Sequence, residues 1–222
     1  LVIGDNGKQY RMAATNSKNG TTTTAYSSAA TLTVTRTTLG TPVAPTGSAT
    51  SGSATSINVS LTGVANATSY TARIYLASDT SNILRTITSF TSGSAITGLS
   101  ANTAYVVSIT AIGDGISYAD SSASAFSSSI TTNAAAATPT VSAPTSASKN
   151  VGQTHRFSSS ATVGDAGALT YQWQVSSNGT DWSDISGATA VDYTTATLVI
   201  GDNGKQYRMA ATNSKNGTTT TA

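Results

Sequence analysis

The sequence contains no cysteine, no glutamate and a single histidine, His155. The first absence removes disulfides and thiolate chemistry, whether nucleophilic or zinc-binding. The other two leave nine aspartates and one imidazole for any acid, base or metal-ligand role. Charged residues make up 9%, far below the about 25% of an average soluble domain. No apolar run approaches the ~20 residues of a membrane-spanning helix. A basic-then-apolar signal segment is also missing, and an internal window of a longer protein would carry none. Leucine, lysine and alanine do not recur at helical spacing, which excludes long amphipathic helices.

What is abundant points to strands. Serine and threonine supply roughly a third of the chain and hydrophobic residues 38%, enough for small sandwich cores. Thr, Val, Ile and Tyr alternate with polar residues between Asn-Gly and Asp-Gly turn signals, the pattern of half-buried strands. That alternation argues against disorder, the other reading of so much Ser and Thr.

Residues 1–25 read LVIGDNGKQYRMAATNSKNGTTTTA, and residues 198–222 read the same, an offset of 197 residues. The period is too long for a helical solenoid, whose repeats run about 20 to 50 residues. It suits two domains of about 100 residues each. The duplication also explains the charge. The formal net charge is +2, yet the repeated segment carries Lys8, Arg11 and Lys18 against Asp5 alone. Removing one copy leaves eight basic and eight acidic residues. A single repeat is neutral, and a nucleic-acid partner is not expected.

The four prolines cluster at two places, TPVAP (Pro42, Pro45) and TPTVSAP (Pro139, Pro144). Proline cannot donate to a strand ladder, so it marks edges and junctions. Three segments follow: residues 1–36, 41–137 and 138–222, with the alanines at 134–137 as a short connector. In the third, Leu169, Tyr171, Trp173 and Val175 alternate with Thr170, Gln172 and Gln174. Phe157 precedes that strand. Asp202-Asn203-Gly204, Tyr207 and Met209 follow it.

This third segment resembles a bacterial immunoglobulin-like domain. The resemblance implies that Trp173 is the buried strand C tryptophan and that Tyr207 takes the tyrosine-corner role. It further implies that packing at Phe157 and Met209 replaces the inter-sheet disulfide of antibody domains. Its Asp202-to-Tyr207 spacing is one residue longer than the usual motif. Residues 41–137 resemble a fibronectin type III module. Ile57, Val59 and Leu61 give one face, Tyr70, Ala72 and Ile74 another, and Leu99 through Tyr105 match that family's Leu-to-Tyr corner. The expected core therefore includes Phe157, Trp173, Tyr207, Met209, Leu99 and Tyr105, in tandem antiparallel β-sandwiches, an all-β class.

By the 197-residue offset, residues 1–36 are the final strands of a preceding immunoglobulin-like domain. Residues 9–17 are expected as strand F and residues 31–35 as the last strand, G. Residues 138–222 are expected to lack that last strand. Their core is then open at an edge prone to association.

Chemistry finds little support. A hydrolase needs a nucleophile with a base, or paired carboxylates, and no Gly-x-Ser-x-Gly elbow frames any serine. His155 opens a strand and reads as an edge residue. Asp114, Asp120, Asp165, Asp181 and Asp184 are the acidic loci, without calcium-loop spacing, and Asp-Gly is first a turn signal. The glycines from Gly201 to Gly204 precede a strand, not a phosphate-binding helix. Trp182 either covers the sheet beside Ile185 or offers a sugar-stacking face. Asn58, Asn66 and Asn178 match the N-glycosylation pattern, and an isopeptide link could involve only Lys149 between residues 19 and 204. No enzyme activity, cofactor or metal is expected.

The architecture suggests a structural repeat of a large bacterial surface or secreted fibrous, adhesin-like protein. Its partners would be neighbouring copies, end to end and laterally. One two-domain repeat would extend ~70–80 Å from the strand rise. Two other classes share the architecture: a module binding a surface glycan or host ligand, and a spacer in an extracellular polysaccharide-degrading enzyme.

Overall fold

The computed structural model describes residues 2–222; Leu1, which opens the repeated segment, lies outside the described residues. The protein is all-β. Two single 3₁₀ turns, Ile3–Asp5 and Ile200–Asp202, are the helical elements among the described residues. The chain divides into two compact units.

The first unit comprises Leu1–Ser48, Asn58–Ile96 and Ala104–Ile130. Its four-stranded sheet runs Ile130–Thr131, Ala104–Ile112, Ser69–Leu76, Arg85–Ile87. A three-stranded sheet runs Ala95–Ile96, Ile57–Ser60, Thr46–Ala49. The period-two pattern places Ile74, Ala72, Val107, Ile109 and Ala111 in the interior, together with Val59 and Ile96. Val107 pairs with Ile74 and Ile109 with Ala72, so the apolar residues are cross-strand neighbours. Tyr105 is buried at the start of the longest of these strands, and Leu99 is buried as well.

One edge of this sheet is closed in a way the alternation rule does not anticipate. Residues 120–129 form no strand, yet they run beside Ala104–Ile112. Ser121, Ser124 and Ser127 donate their backbone N–H groups to the carbonyls of Ala111, Ile109 and Val107 (2.9, 2.8 and 2.9 Å). Each seryl Oγ then accepts the N–H of that same residue (2.9, 2.9 and 3.0 Å). A hydroxyl takes the place of the carbonyl that a regular partner strand would present. Three residues of the serine-bearing chain therefore span two residues of the strand. The S-x-x-S-x-x-S spacing is the sequence signal for it.

The unit also contains the first copy of the repeated segment. Ala13–Lys18 and Thr21–Tyr26 form a hairpin, and Gln9–Tyr10 pairs with Ala30–Thr31. The hairpin loop is Asn19-Gly20 with φ of 50° and 79°. Both values are positive, as a two-residue type I′ turn requires. Residues 31–35 are only the end of a longer return path, whose first half is Thr21–Tyr26. The tight Asn-Gly turn sends the threonine run straight back along the preceding strand.

The second unit comprises Ala49–Ile57, Thr97–Thr103 and Thr131–Ala222. Its principal sheet runs Ser183–Asp184, Ala168–Ser176, Gln206–Lys215, Thr218–Thr221. Two further pairs are Arg156–Ser158 with Asp192–Thr194 and Thr140–Val141 with Ala161–Thr162. Trp173 lies opposite Met209, and both are buried, as are Ala211 and Asn213. The same turn recurs in this unit. Asn216-Gly217 (φ 49° and 72°) returns the chain as Thr218–Thr221, paired with Thr212 through Lys215.

Hydrogen bonds explain why two remote loops join this unit. Asn133 Nδ2 donates to the carbonyls of Thr50 (2.8 Å) and Ser53 (2.9 Å), and the Asn102 N–H donates to Asn133 O (3.0 Å). Ala54 N donates to Asn216 O (2.7 Å), and Asn216 Nδ2 donates to Ala134 O (2.8 Å). Ala136 N donates to Thr218 Oγ1 (2.7 Å). The alanine connector is therefore pinned along its length by side chains of the repeated segment.

Candidate interaction edge

Phe157, Trp173, Tyr193 and Tyr207 form one aromatic cluster in the second unit. The Phe157 ring stacks on Tyr207 (centroids 4.7 Å) and lies 6.2 Å from Trp173, while Tyr193 lies 5.9 Å from Trp173 and 6.0 Å from Tyr207. His155 meets Phe157 edge-on at 4.5 Å. Trp173 is fully buried and its Nε1 donates to Ala190 O (3.0 Å). Phe157 and Tyr207 are half-buried and face an open cleft of about 270 Å³. Val151, Leu198 and Ile200 are among its other lining residues, with Lys149, Asp202 and Lys205. Burial pushes the Tyr207 phenol above its ordinary pKa.

The cleft borders the outer side of strand Gln206–Lys215. Thr218–Thr221 pairs with this strand only from Thr212 onward, and Ala211 and Ala222 exchange both backbone bonds (3.1 and 3.0 Å). No described strand pairs with that side at residues 204–209. The turn leading into it is locally self-supporting. Asp202 accepts the Val199 N–H (2.9 Å) and Lys205 Nζ (2.7 Å). The Lys205 ammonium, then the Val199 N–H, holds its carboxyl below the ordinary value.

The other aspartates are engaged by protein donors. Asp114 accepts the N–H groups of Tyr118, Ile116 and Ser117, each at 2.8 Å, and these lower its pKa. Asp120 accepts Gly113 N (2.9 Å), Asp181 the amide of Asn178, and Asp184 the amide of Gln174. Asp165 accepts the N–H groups of Ala137 (2.8 Å) and Gly167 (2.9 Å), and its carboxyl is lowered first by the Ala137 bond. Asn213 Nδ2 donates to both Ala137 O and Asp165. Among the described residues no group of three acidic or histidine side chains converges as a metal site would. The His155 backbone N–H donates to Thr195 Oγ1 (3.0 Å), the same hydroxyl-for-carbonyl device as the serine edge.

Trp182 is spoken for as well. The Arg208 guanidinium stacks over its ring at 4.2 Å, and Arg208 Nε donates to Gln174 Oε1 (2.7 Å). In the first copy Arg11 stacks over Tyr26 at 3.9 Å. One face of the indole is thus covered by a cation.

A family model described as a domain of unknown function (DUF8696) matches residues 128–222. No curated protein matches the chain. Similar solved structures include an Fn3-like protein from Clostridium thermocellum, at 20% identity over 42% of this chain and 93% of that one, with a TM-score of 0.35. The FN1–FN3 domains of chicken CNTN1 are similar at 13% identity over 96% of this chain and 73% of that one (TM-score 0.36). A two-domain fibronectin type III segment of chicken tenascin is similar at 14% identity over 82% and 98% (TM-score 0.33).

Proposed function

We propose that this chain is a structural repeat of a long extracellular bacterial fibre, stalk or surface layer, with no catalysis of its own. The observation that carries the reading is the recurrence of 25 residues without a change at an offset of 197. Copying independent sandwiches lengthens a filament without adding chemistry. Two further features support it. The connector at residues 134–137 is bonded to Asn216, Thr218, Asp165 and Asn213, which leaves it little slack. The repeat is close to neutral, which weakens repulsion between copies. Imaging of the native material tests the reading through an axial period of ~70–80 Å per two-domain repeat, from the strand rise. Isolated globules without periodicity would refute it.

The cleft beside Phe157 and Tyr207 favours one second reading, a module that holds a surface glycan or host ligand. A glycan array on the intact chain decides it, and absence of any ligand would set it aside.

A further inference from the structure

We propose that Asn66 is an N-glycosylation site, its side-chain amide accepting a saccharide from a glycosyl diphosphate donor. The inference needs only that the chain meets a glycosyltransferase, so it stands apart from the fibre reading.

Asn-x-Ser/Thr triplets begin at Asn19, Asn58, Asn66, Asn178 and Asn216, and the pattern alone treats them as equals. The structure separates them. Asn58 is half-buried in strand Ile57–Ser60, which runs between Ala95–Ile96 and Thr46–Ala49. Asn178 is tied into its own turn. Its Nδ2 donates to Asp181 Oδ2 (2.6 Å), and its Oδ1 accepts Ser176 Oγ, Thr180 N and Asp181 N (3.0, 2.9 and 2.8 Å). Asn19 and Asn216 are one triplet in two copies, and in the packed second unit its Nδ2 donates to Ala134 O (2.8 Å).

Asn66 differs in each respect. It lies in the loop between Ile57–Ser60 and Ser69–Leu76, and Ala65, Asn66 and Thr68 are all exposed. Its amide has no hydrogen-bond partner among the described residues. The Ala67 N–H closes a turn on Val64 O (3.2 Å), with Asn66 at φ 65°, a position that glycine or asparagine fills. Both ends of the loop are anchored. Val64 N donates to Tyr70 Oη (2.6 Å), and Thr68 N donates to Ile112 O (2.8 Å). The Thr68 hydroxyl donates to the carbonyls of Ile112 and Gly113 (3.1 Å each), so its lone pairs still accept. The flanking alanines leave room for a sugar ring.

In the transfer, Asn66 Nδ2 bonds to the anomeric carbon as the carbon–oxygen bond to the diphosphate breaks. The diphosphate leaves with the electron pair, and the amide gives up one proton.

The test is mass spectrometry of chymotryptic peptides from the protein isolated from its native source. Cleavage after Leu61 and Tyr70 releases residues 62–70, where Asn66 is the single asparagine. The expected result is added saccharide mass on that peptide, placed on Asn66 by fragmentation, with Asn19, Asn58, Asn178 and Asn216 unmodified. Asn66→Gly suits the turn and removes the acceptor, and Thr68→Val removes the hydroxyl while keeping the asparagine. Both variants, made in the native host, should lose the added mass, and Thr68→Ser should keep it. A wild-type peptide 62–70 of unmodified mass overturns the proposal. So does saccharide at another asparagine in its place, or added mass that persists in Asn66→Gly because it sits on a hydroxyl.

Discussion

The two copies of the repeated segment allow one substitution to be made twice in the same sequence and in different surroundings. Met209 is 4% exposed and lies across the strand pair from Trp173, whereas Met12 is 69% exposed on a two-stranded ribbon. Truncating a buried methionine to alanine removes apolar contacts and leaves a cavity, a loss of about 2–5 kcal/mol. Taking about 3 kcal/mol and roughly 4–8 °C per kcal/mol for a domain of this size, Met209→Ala should lower the melting temperature by roughly 12–24 °C. Met12→Ala removes nothing from a core and should change stability by no more than about 0.5 kcal/mol. Both tryptophans, Trp173 and Trp182, belong to the second unit. Urea titration followed by tryptophan fluorescence therefore reports Met209→Ala, with an unchanged slope confirming a change in stability alone, and calorimetry, which sees both units, compares it with Met12→Ala. Equal shifts for the two variants, or a loss below about 1 kcal/mol at Met209, would refute the assigned packing.

Three further outcomes follow from the hydrogen bonds. Ser124→Ala strips the hydroxyl from the buried N–H of Ile109, and should cost about 1–3 kcal/mol in a thermal melt. A silent variant would mean the serine edge is not load-carrying. Gly167→Ala should destabilise the second unit, because its Cβ would lie 2.0 Å from Asn213 Oδ1. Amide exchange at Ala137 should quicken with it, and unchanged exchange would count against the Asp165–Asn213 clamp. Finally, the Asp165 and Asp202 carboxyls are held below their ordinary value of 3.8. Groups depressed on folding stabilise above the unfolded pKa and lose that contribution as pH falls through the folded value. Melting temperature should therefore hold from neutrality down to about 3.8 and fall below it. Asp165→Asn should make the acid limb shallower; a wild-type rise on acidification would contradict the sign.

Much of the strand layout was legible because alternation acts at short range. Tyr105 through Ala111 and Leu169 through Val175 show their period of two without help from any neighbour. The serine edge was less so. Ser121, Ser124 and Ser127 are spaced by three, which matches neither helix nor strand, and their role exists only beside a strand ending at Ile112. The cleft was invisible for a similar reason. Phe157, Leu198 and Tyr207 become one wall through pairing between strands far apart in the chain. For Trp182 the sequence offered cover or platform, and the Arg208 guanidinium over one face of the ring was not legible there.

The repeated segment separates the two kinds of information. Its sequence alone determines the Ile-Gly-Asp 3₁₀ turn, the Asp–Lys pair three residues apart, the positive-φ glycine and the Asn-Gly hairpin turn. All of these recur in both copies with nearly equal angles. Each is built from groups within a few residues of one another, so surroundings hardly matter. Burial is decided elsewhere. Asn213 is fully enclosed and Asn16 is exposed; Met209 is core and Met12 is surface. The difference is strand Ala168–Ser176, which lies against the second copy and has no counterpart beside Ala13–Lys18 among the described residues. Hydrophobic burial needs a second surface, and a sequence of 25 residues cannot supply its own.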